Sequence, residues 1–303
     1  MTMLAAESRA LENERPYLMG VAYRLLGSQS DAEDVVQEAL LRIRDSSEII
    51  SLRAYLTTVV TRLCLDELRS ARRRRETYVG PNLPEPVLTT RLDAPAESGV
   101  EHREDVSLAF LMLLDQLSPN QRAVFVLREV FDLSFTEIAA IIGRSEAACR
   151  KLLSRGHAQL EQPSERKLSP ASAQLNVATA FFHALASGDM LEVVKLLSDD
   201  AISVTDHGGK AQAARKPILG GERVARFFIG LMRKGLHASG GYTAMPGQLN
   251  GAPALIVWGP DGSPEAAMIL RIERTPAGDR VTSIANMRNP DKLRAIARRA
   301  YVS

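Results

Sequence analysis

The stretch SPNQRAVFVLREVFDLSFTEIAAIIGRSEAACRKLLSR (Ser118–Arg155) decides how the chain is read. Ser118-Pro119-Asn120-Gln121 combines a serine cap, a proline at the first helical position and a glutamine that closes a capping box. A helix therefore starts there and is expected to run through Val124, Leu127 and Arg128 to about Val130. Ser134-Phe135-Thr136-Glu137 opens a second, short helix that ends at Ile142. Gly143 supplies a turn, and Ser145 caps a third helix. Short helix, glycine turn and helix form the helix-turn-helix pattern. In the third helix Ala148, Cys149, Leu152, Leu153 and Leu160 face a core. Arg144, Ser145, Ala147, Arg150, Lys151, Ser154 and Arg155 are left for a partner. Small and basic side chains in such a row suit a DNA major groove, where arginine and lysine contact phosphates or guanine edges. Helical bundles mimic this pattern, so an ordinary solvated face stays open on these residues alone.

Upstream, Ser30-Asp31-Ala32-Glu33 has the form of a capping box. Ala32, Val35, Val36, Ala39, Leu40 and Ile43 then recur at helical spacing. The opposite face carries Asp34, Gln37, Glu38, Leu41 and Arg42, and a leucine among polar residues there points either to a partner surface or to solvent. A second long helix begins near Ser51, with Leu52, Tyr55, Leu56, Val59 and Leu63 on its buried side. It ends in Arg69, Arg72, Arg73, Arg74 and Arg75. Arginines complement a helix C-terminus, but five exceed what a cap needs, and concentrated cationic charge is what phosphate contacts require.

The chain has 303 residues, 45% hydrophobic, 24% charged and 5% aromatic, which fits two or three soluble domains. Two cysteines, Cys64 and Cys149, exclude a disulfide scaffold or a multi-cysteine zinc module and suit a reducing cytosol. Charged residues crowd the start, so no signal peptide is visible, and glycine and proline break the long uncharged run from Gly235 to Pro260. A cytoplasmic protein without membrane contact is expected. The first 165 residues are net acidic and the rest net basic, so DNA contacts must come from local clusters. Proline and glycine between Gly80 and Gly99 mark a linker, and a second lies at Gln162–Ser172.

The two helical modules together resemble a sigma factor of the sigma-70 family, in the small extracytoplasmic-function class. Asp31–Arg42 resembles the region 2 helix that docks on the polymerase clamp, and Arg53–Arg69 the helix serving the −10 element. Leu117–Arg122, Phe135–Ala139 and the run to Ser154-Arg155 resemble region 4, which reads the −35 element. The resemblance implies that Asp34, Gln37, Glu38 and Leu41 bind core RNA polymerase. It implies that Arg53, Thr57, Thr61, Arg62, Arg69, Arg72 and Arg73 serve the −10 region. It implies further that the row Arg144, Ser145, Ala147, Arg150, Lys151, Ser154 and Arg155 serves the −35 region. Partners would be the clamp of the beta-prime subunit, the flap of the beta subunit and promoter DNA. Gly156-His157 stand where Ala-Arg is commoner, and a helix-interior glycine costs about 1 kcal/mol, so fraying is expected there.

Such proteins usually stop near residue 165; this chain continues. Val177, Phe181, Phe182 and Leu185, then Leu191, Val194 and Leu197, suggest two packed helices. Ala201–Thr205, Leu255–Trp258, Ala267–Ile272 and Val281–Ile284 read as strands, with another helix at Glu222–Arg233 and hairpin turns at Pro260-Asp261-Gly262 and Pro276–Asp279. Phe181–Asp189 resembles the opening helix of SnoaL-like domains, the fold of polyketide cyclases and steroid isomerases. The expected fold is therefore multi-domain: two all-α sigma domains, a region 2 helical bundle and a region 4 helix-turn-helix, plus a C-terminal α+β SnoaL-like cone. Boundaries fall at 1–78 (region 2), 79–103 (linker), 104–165 (region 4), 166–172 (linker) and 173–303.

A subgroup of these sigma factors carries this extension and three motifs. Its Trp-Leu-Pro-Glu-Pro appears as Asn82-Leu83-Pro84-Glu85-Pro86, its Asp-Gly-Gly-Gly-Lys as Asp206-His207-Gly208-Gly209-Lys210, and its Asn-Pro-Asp-Lys-Leu intact as Asn289-Pro290-Asp291-Lys292-Leu293. The resemblance implies a regulatory extension that acts through these segments and needs no separate anti-sigma factor. A meeting of Asn82–Pro86 with Asp206–Lys210 in one interface is expected, with Lys210 pairing with an acid on another domain. No enzyme activity, metal or cofactor is expected. Asp206 is read as the shaper of a glycine turn; the competing reading makes it the base of an isomerase or cyclase fused to a DNA-binding module. A third reading is a helix-turn-helix regulator with a ligand-sensing C-terminal domain.

Overall fold

A computed structural model describes residues 2–43, 51–75, 78–91, 106–160, 166–238 and 242–300. The chain divides into two compact units. One comprises residues 1–77 and 109–162, the other 78–108 and 163–303.

The first unit is helical. Helices α1 (Thr2–Leu26), α2 (Gln29–Arg42) and α3 (Leu52–Arg75) pack against one another. Helix α2 starts at Gln29, two residues earlier than the Ser30 box suggests, because Ser28 accepts the Asp31 amide in its side chain. Its buried residues Ala32, Val35, Val36 and Ala39 follow the i, i+3, i+4, i+7 stripe of a helix lying on a core. On α3 the fully buried stripe is Leu56, Val60, Cys64 and Leu68, while Tyr55, Val59 and Leu63 are only half-buried. Thr57 and Thr61 turn inward with that stripe. The Thr57 hydroxyl folds back onto Arg53 O at 2.7 Å, satisfying its donor and presenting its methyl to the core.

The same unit holds α4 (Leu108–Leu114), α5 (Pro119–Phe125), a π-helical turn (Val126–Val130), α6 (Phe135–Ile142) and α7 (Glu146–Leu160). Both Ser118 and Ser134 make complete capping boxes, with Gln121 and Glu137 respectively. Gly143 closes α6 in the left-handed conformation, φ 66°. Helix α7 runs unbroken past Gly156 to Leu160, contrary to the expected fraying. Gly156 is buried, facing Leu117 and Phe125, so packing holds the turn that propensity disfavours.

The second unit is a seven-stranded sheet in the order β1-β4-β5-β6-β7-β2-β3. Its strands are β1 (Leu88–Arg91), β2 (Leu197–Asp206), β3 (Ile218–Leu219), β4 (Thr243–Leu249), β5 (Ala252–Trp258), β6 (Pro264–Thr275) and β7 (Gly278–Met287). Neighbours are antiparallel except β2 and β7, which run parallel. Alternation along β6 sorts the two faces. Met268, Leu270 and Ile272 pack under α8 (Ala171–Ser187), α9 (Met190–Leu196) and α10 (Gly221–Ala238), with Phe181, Leu185, Val193 and Phe228. Ala267 and Ile269 point the other way and are covered by Leu83 and Leu88 of the tether and by Leu293 and Ile296 of α11 (Pro290–Ala300). Each such leucine, isoleucine or methionine contributes about 1.5–3 kcal/mol of burial.

The tether is thus more than a linker. Its residues 88–91 form edge strand β1, Leu88 opposite Leu249, and Val87 N–H donates to Asn250 Oδ1 at 3.0 Å. The periodicity of four residues was too short to reveal a strand whose partner, β4, lies more than 150 residues downstream.

Candidate functional site

The helix-turn-helix row is presented as its sequence predicts: Arg144, Ser145, Ala147, Arg150, Lys151, Ser154 and Arg155 are all exposed on or just before α7. Ser145 caps α7 through the Ala148 amide at 3.2 Å. Arg150 is held extended by Glu146 at 2.8 Å and lies over the Phe135 ring, 4.3 Å from its centroid. Phe135 therefore orients a basic side chain, a role its place in the capping box did not disclose. Asp34, Gln37, Glu38 and Leu41 are likewise exposed on one side of α2, with Leu41 55% exposed and Glu38 paired with Arg42.

The row on α3 is arranged differently. Arg53 pairs with Glu14 at 2.6 Å and stacks on Tyr17. Thr57 and Thr61 are buried. Arg62 donates from Nε to Ile141 O at 2.9 Å and from Nη2 to Ala140 O at 3.1 Å, at the C-terminal end of α6. Arg69 pairs with Asp66. The side chains of Arg72 and Arg73 lie outside the described residues. A second join between the helical modules, which the sequence did not signal, is Arg122. Only 2% exposed, it bonds to Arg24 O at 3.1 Å and to Asp115.

The motifs of the second unit converge on one carboxylate. Asp206 is fully buried and accepts from Tyr78 Oη, Leu83 N at 2.9 Å, Gly208 N at 3.2 Å and Lys292 Nζ at 2.6 Å. Lys292 also donates to Asn82 Oδ1 and Leu83 O, and lies 5.2 Å from the Tyr78 ring centroid. Asn289 donates to the Tyr78 hydroxyl at 2.9 Å and, through its own Oδ1, accepts from Asp291 N. Burial pushes the Tyr78 phenol up, and donation to Asp206 adds to the shift. Four donors leave Asp206 an anchor rather than a base. Pro84, Glu85 and Pro86 are buried beside Leu83. Lys210 pairs with Asp291 of the same unit, correcting the expectation of a partner on another domain. Gly208 is irreplaceable in this geometry: its φ is +56°, and a Cβ would lie 2.5 Å from Asn289 Nδ2. Tyr78, central here, escaped notice because it lies outside the motifs.

Among the described residues no group of three or more His, Cys, Asp or Glu side chains is placed to hold a metal, and no helix is long and apolar enough to cross a membrane.

Comparison with known proteins bears on both units. Residues 11–74 match the model of Sigma-70 region 2, and residues 107–160 that of Sigma-70, region 4. The chain is 41% identical over 293 residues to the ECF RNA polymerase sigma factor SigJ of Mycobacterium tuberculosis, covering 95% of this chain and 93% of that one. It is 34% identical over 199 residues to the probable ECF RNA polymerase sigma factor SigI of the same species, covering 63% and 66%. Among solved structures, the crystal structure of M. tuberculosis SigJ superposes with a TM-score of 0.72 at 38% identity, over 96% of this chain and 98% of that one. The likeness extends through the sheet-bearing unit.

Proposed function

Because the chain belongs to the extracytoplasmic-function sigma factors of the sigma-70 family, a family of non-enzymatic initiation factors for RNA polymerase acting on promoter DNA, we propose how its own residues divide that work. The exposed row of α7 reads the −35 element, with Arg150, Lys151 and Arg155 on phosphates or guanine edges and Ala147 and Ser154 admitting close approach. The observation that carries this assignment is the exposure of all seven residues behind an intact cap and turn. Asp34, Gln37, Glu38 and Leu41 dock on the clamp of the beta-prime subunit, and region 4 meets the flap of the beta subunit.

Arg53, Thr57, Thr61, Arg62 and Arg69 serve the −10 region, joined by the arginines that follow them. Since Thr57 and Thr61 are buried and Arg62 is held by α6, this role requires the helical unit to open. The sheet-bearing unit tunes that opening through the tether: Asp206 and Lys292 fix residues 78–91, which shortens the free chain between regions 2 and 4. Leu83, Pro84, Glu85, Pro86, Asp206, Gly208, Gly209, Lys210, Asn289, Pro290, Asp291, Lys292 and Leu293 form this regulatory contact, and no separate anti-sigma factor is needed. Run-off transcription with core polymerase tests it. Lys292→Met, which frees the tether, should change promoter-dependent output at least threefold; equal output would remove the regulatory role.

A further inference from the structure

We infer that Arg150 reads a guanine edge, aimed by Glu146, Thr136 and Phe135 as positioning residues, while Arg144, Lys151 and Arg155 hold phosphates. The inference deepens the −35 assignment above and rests on it. Glu146 is the first residue of α7, and both oxygens of its carboxylate are bonded. Oε1 accepts from the hydroxyl of Thr136, on α6, at 2.6 Å, and Oε2 from Arg150 Nη2 at 2.8 Å. The Arg150 guanidinium also lies over the Phe135 ring, whose centroid is 5.5 Å from the Arg128 guanidinium. Arg128 in turn is fixed by Leu133 O at 2.9 Å and by Asp132 at 3.2 Å. An i, i+4 pair alone does no more than steady its own helix. Here a bond from the neighbouring helix and a ring face are added. One corner and one face of the Arg150 guanidinium are held, and its other N–H groups are left for a partner.

Among the described residues, Arg144, Lys151 and Arg155 are exposed, and their side chains make no hydrogen bond or ion pair. The two arrangements suit different targets. A phosphate is a charged oxygen cluster that a swinging cation reaches from many directions, and such contacts carry no sequence information. The Glu146 carboxylate repels a phosphate and already offsets the Arg150 charge, so Arg150 is the poorest phosphate clamp of these cations. Guanine O6 and N7 are uncharged acceptors at a fixed spacing in the major groove, and a planar fork must be aimed at them. Aim set before binding spares the cost of ordering a long side chain on the DNA. Thr136 acts one step further back: without its hydroxyl, Glu146 loses its bond to α6, and the guanidinium loses a fixed corner.

Selection from a library of randomised duplexes by the full chain in complex with core polymerase, read by sequencing, tests this. The wild type should enrich a site with a guanine position whose preference Arg150→Ala reduces about fivefold or more. Glu146→Gln, which exchanges one of two acceptors for a donor, and Thr136→Val should reduce the same preference about threefold or more. Thr136→Ser, which restores the hydroxyl, should return it. Lys151→Ala and Arg155→Ala should weaken binding evenly across sequences, each lowering the salt slope by about 1. A guanine preference that survives Glu146→Gln or Thr136→Val overturns the proposal, as does a base preference lost in Lys151→Ala or Arg155→Ala. Those results leave the −35 assignment standing. A sequence preference indifferent to every α7 variant, Arg150→Ala included, overturns that assignment and the proposal with it.

Discussion

Arg62 sits on the C-terminal end of α6, its Nε 2.9 Å from the carbonyl oxygen of Ile141. The helix that ends there is the first of the helix-turn-helix, and its last carbonyls lack helical partners. A guanidinium at that end satisfies them and complements the helix dipole. Arg62→Ala should weaken α6 by about 1 kcal/mol, the ordinary value of a partly exposed hydrogen bond of this kind. Faster amide exchange in α6 would report it. Unchanged exchange would mean that the contact contributes nothing.

Arg150→Ala should weaken binding of a −35 duplex. Loss of a base contact costs about 1–3 kcal/mol and relaxes sequence preference; loss of a phosphate contact lowers affinity evenly and reduces the salt slope by about 1. Phe135→Leu, which removes the ring beneath Arg150 but not its charge, should have a smaller effect in the same direction. Salt-dependent fluorescence anisotropy distinguishes these outcomes, and binding indifferent to Arg150→Ala would remove the orientation given to α7.

Gly156→Ala should stabilise the helical unit by about 0.5–1 kcal/mol. The added methyl would meet Leu117 and Phe125 at 3.7 and 3.9 Å, ordinary contact distances. Gly208→Ala should do the reverse in the sheet-bearing unit, since its methyl would collide with Asn289 and its backbone is left-handed. Urea titrations of both variants test the pair; a destabilised Gly156→Ala would show that the α7 contact is tighter than the distances state.

Lys292→Met removes the cation from a fully buried carboxylate. Breaking a buried pair from one side costs about 3–5 kcal/mol, and the three remaining donors to Asp206 place the expected loss near the lower end, about 3 kcal/mol. Loss of stability confined to the sheet-bearing unit is the expected outcome of chemical unfolding.

The Tyr78 phenol titrates above its usual value of 10.0 because it is buried and donates to Asp206. The released tyrosine ionises first as pH rises, whereas the docked one keeps its proton. Its contribution to docking is therefore complete below about pH 10 and lost above. Amide-exchange protection of the tether should decline with pH in that alkaline range more steeply in the wild type than in Tyr78→Phe. Equal slopes would assign the decline to other groups.

The helical half was legible because its signals are local. Capping boxes at Ser118 and Ser134 and the turn at Gly143 lie within a few residues of what they control. The sheet-bearing half was legible in its long strands β5, β6 and β7, whose apolar residues are continuous. Strands β1, β3 and β4 were missed: β1 and β3 are four and two residues long, β1 pairs with a strand more than 150 residues away, and β4 carries Pro246 and Gly247. The tether cluster was half-legible. Motif residues pointed to Leu83, Asp206 and Lys292, but the Tyr78 hydroxyl joins them through a bond to Asp206 that spans more than 100 positions. Burial of Thr57 was likewise unreadable, because a threonine that bonds its own helix behaves as an apolar residue.

The central claim is that this chain joins core RNA polymerase through α2 and directs it to promoters. Sedimentation velocity of the purified chain with core polymerase is the most direct measurement. A stoichiometric complex should form, and Glu38→Lys should weaken it at least tenfold. Absence of any complex, with the wild-type chain and with the tether released by Lys292→Met alike, would contradict the account.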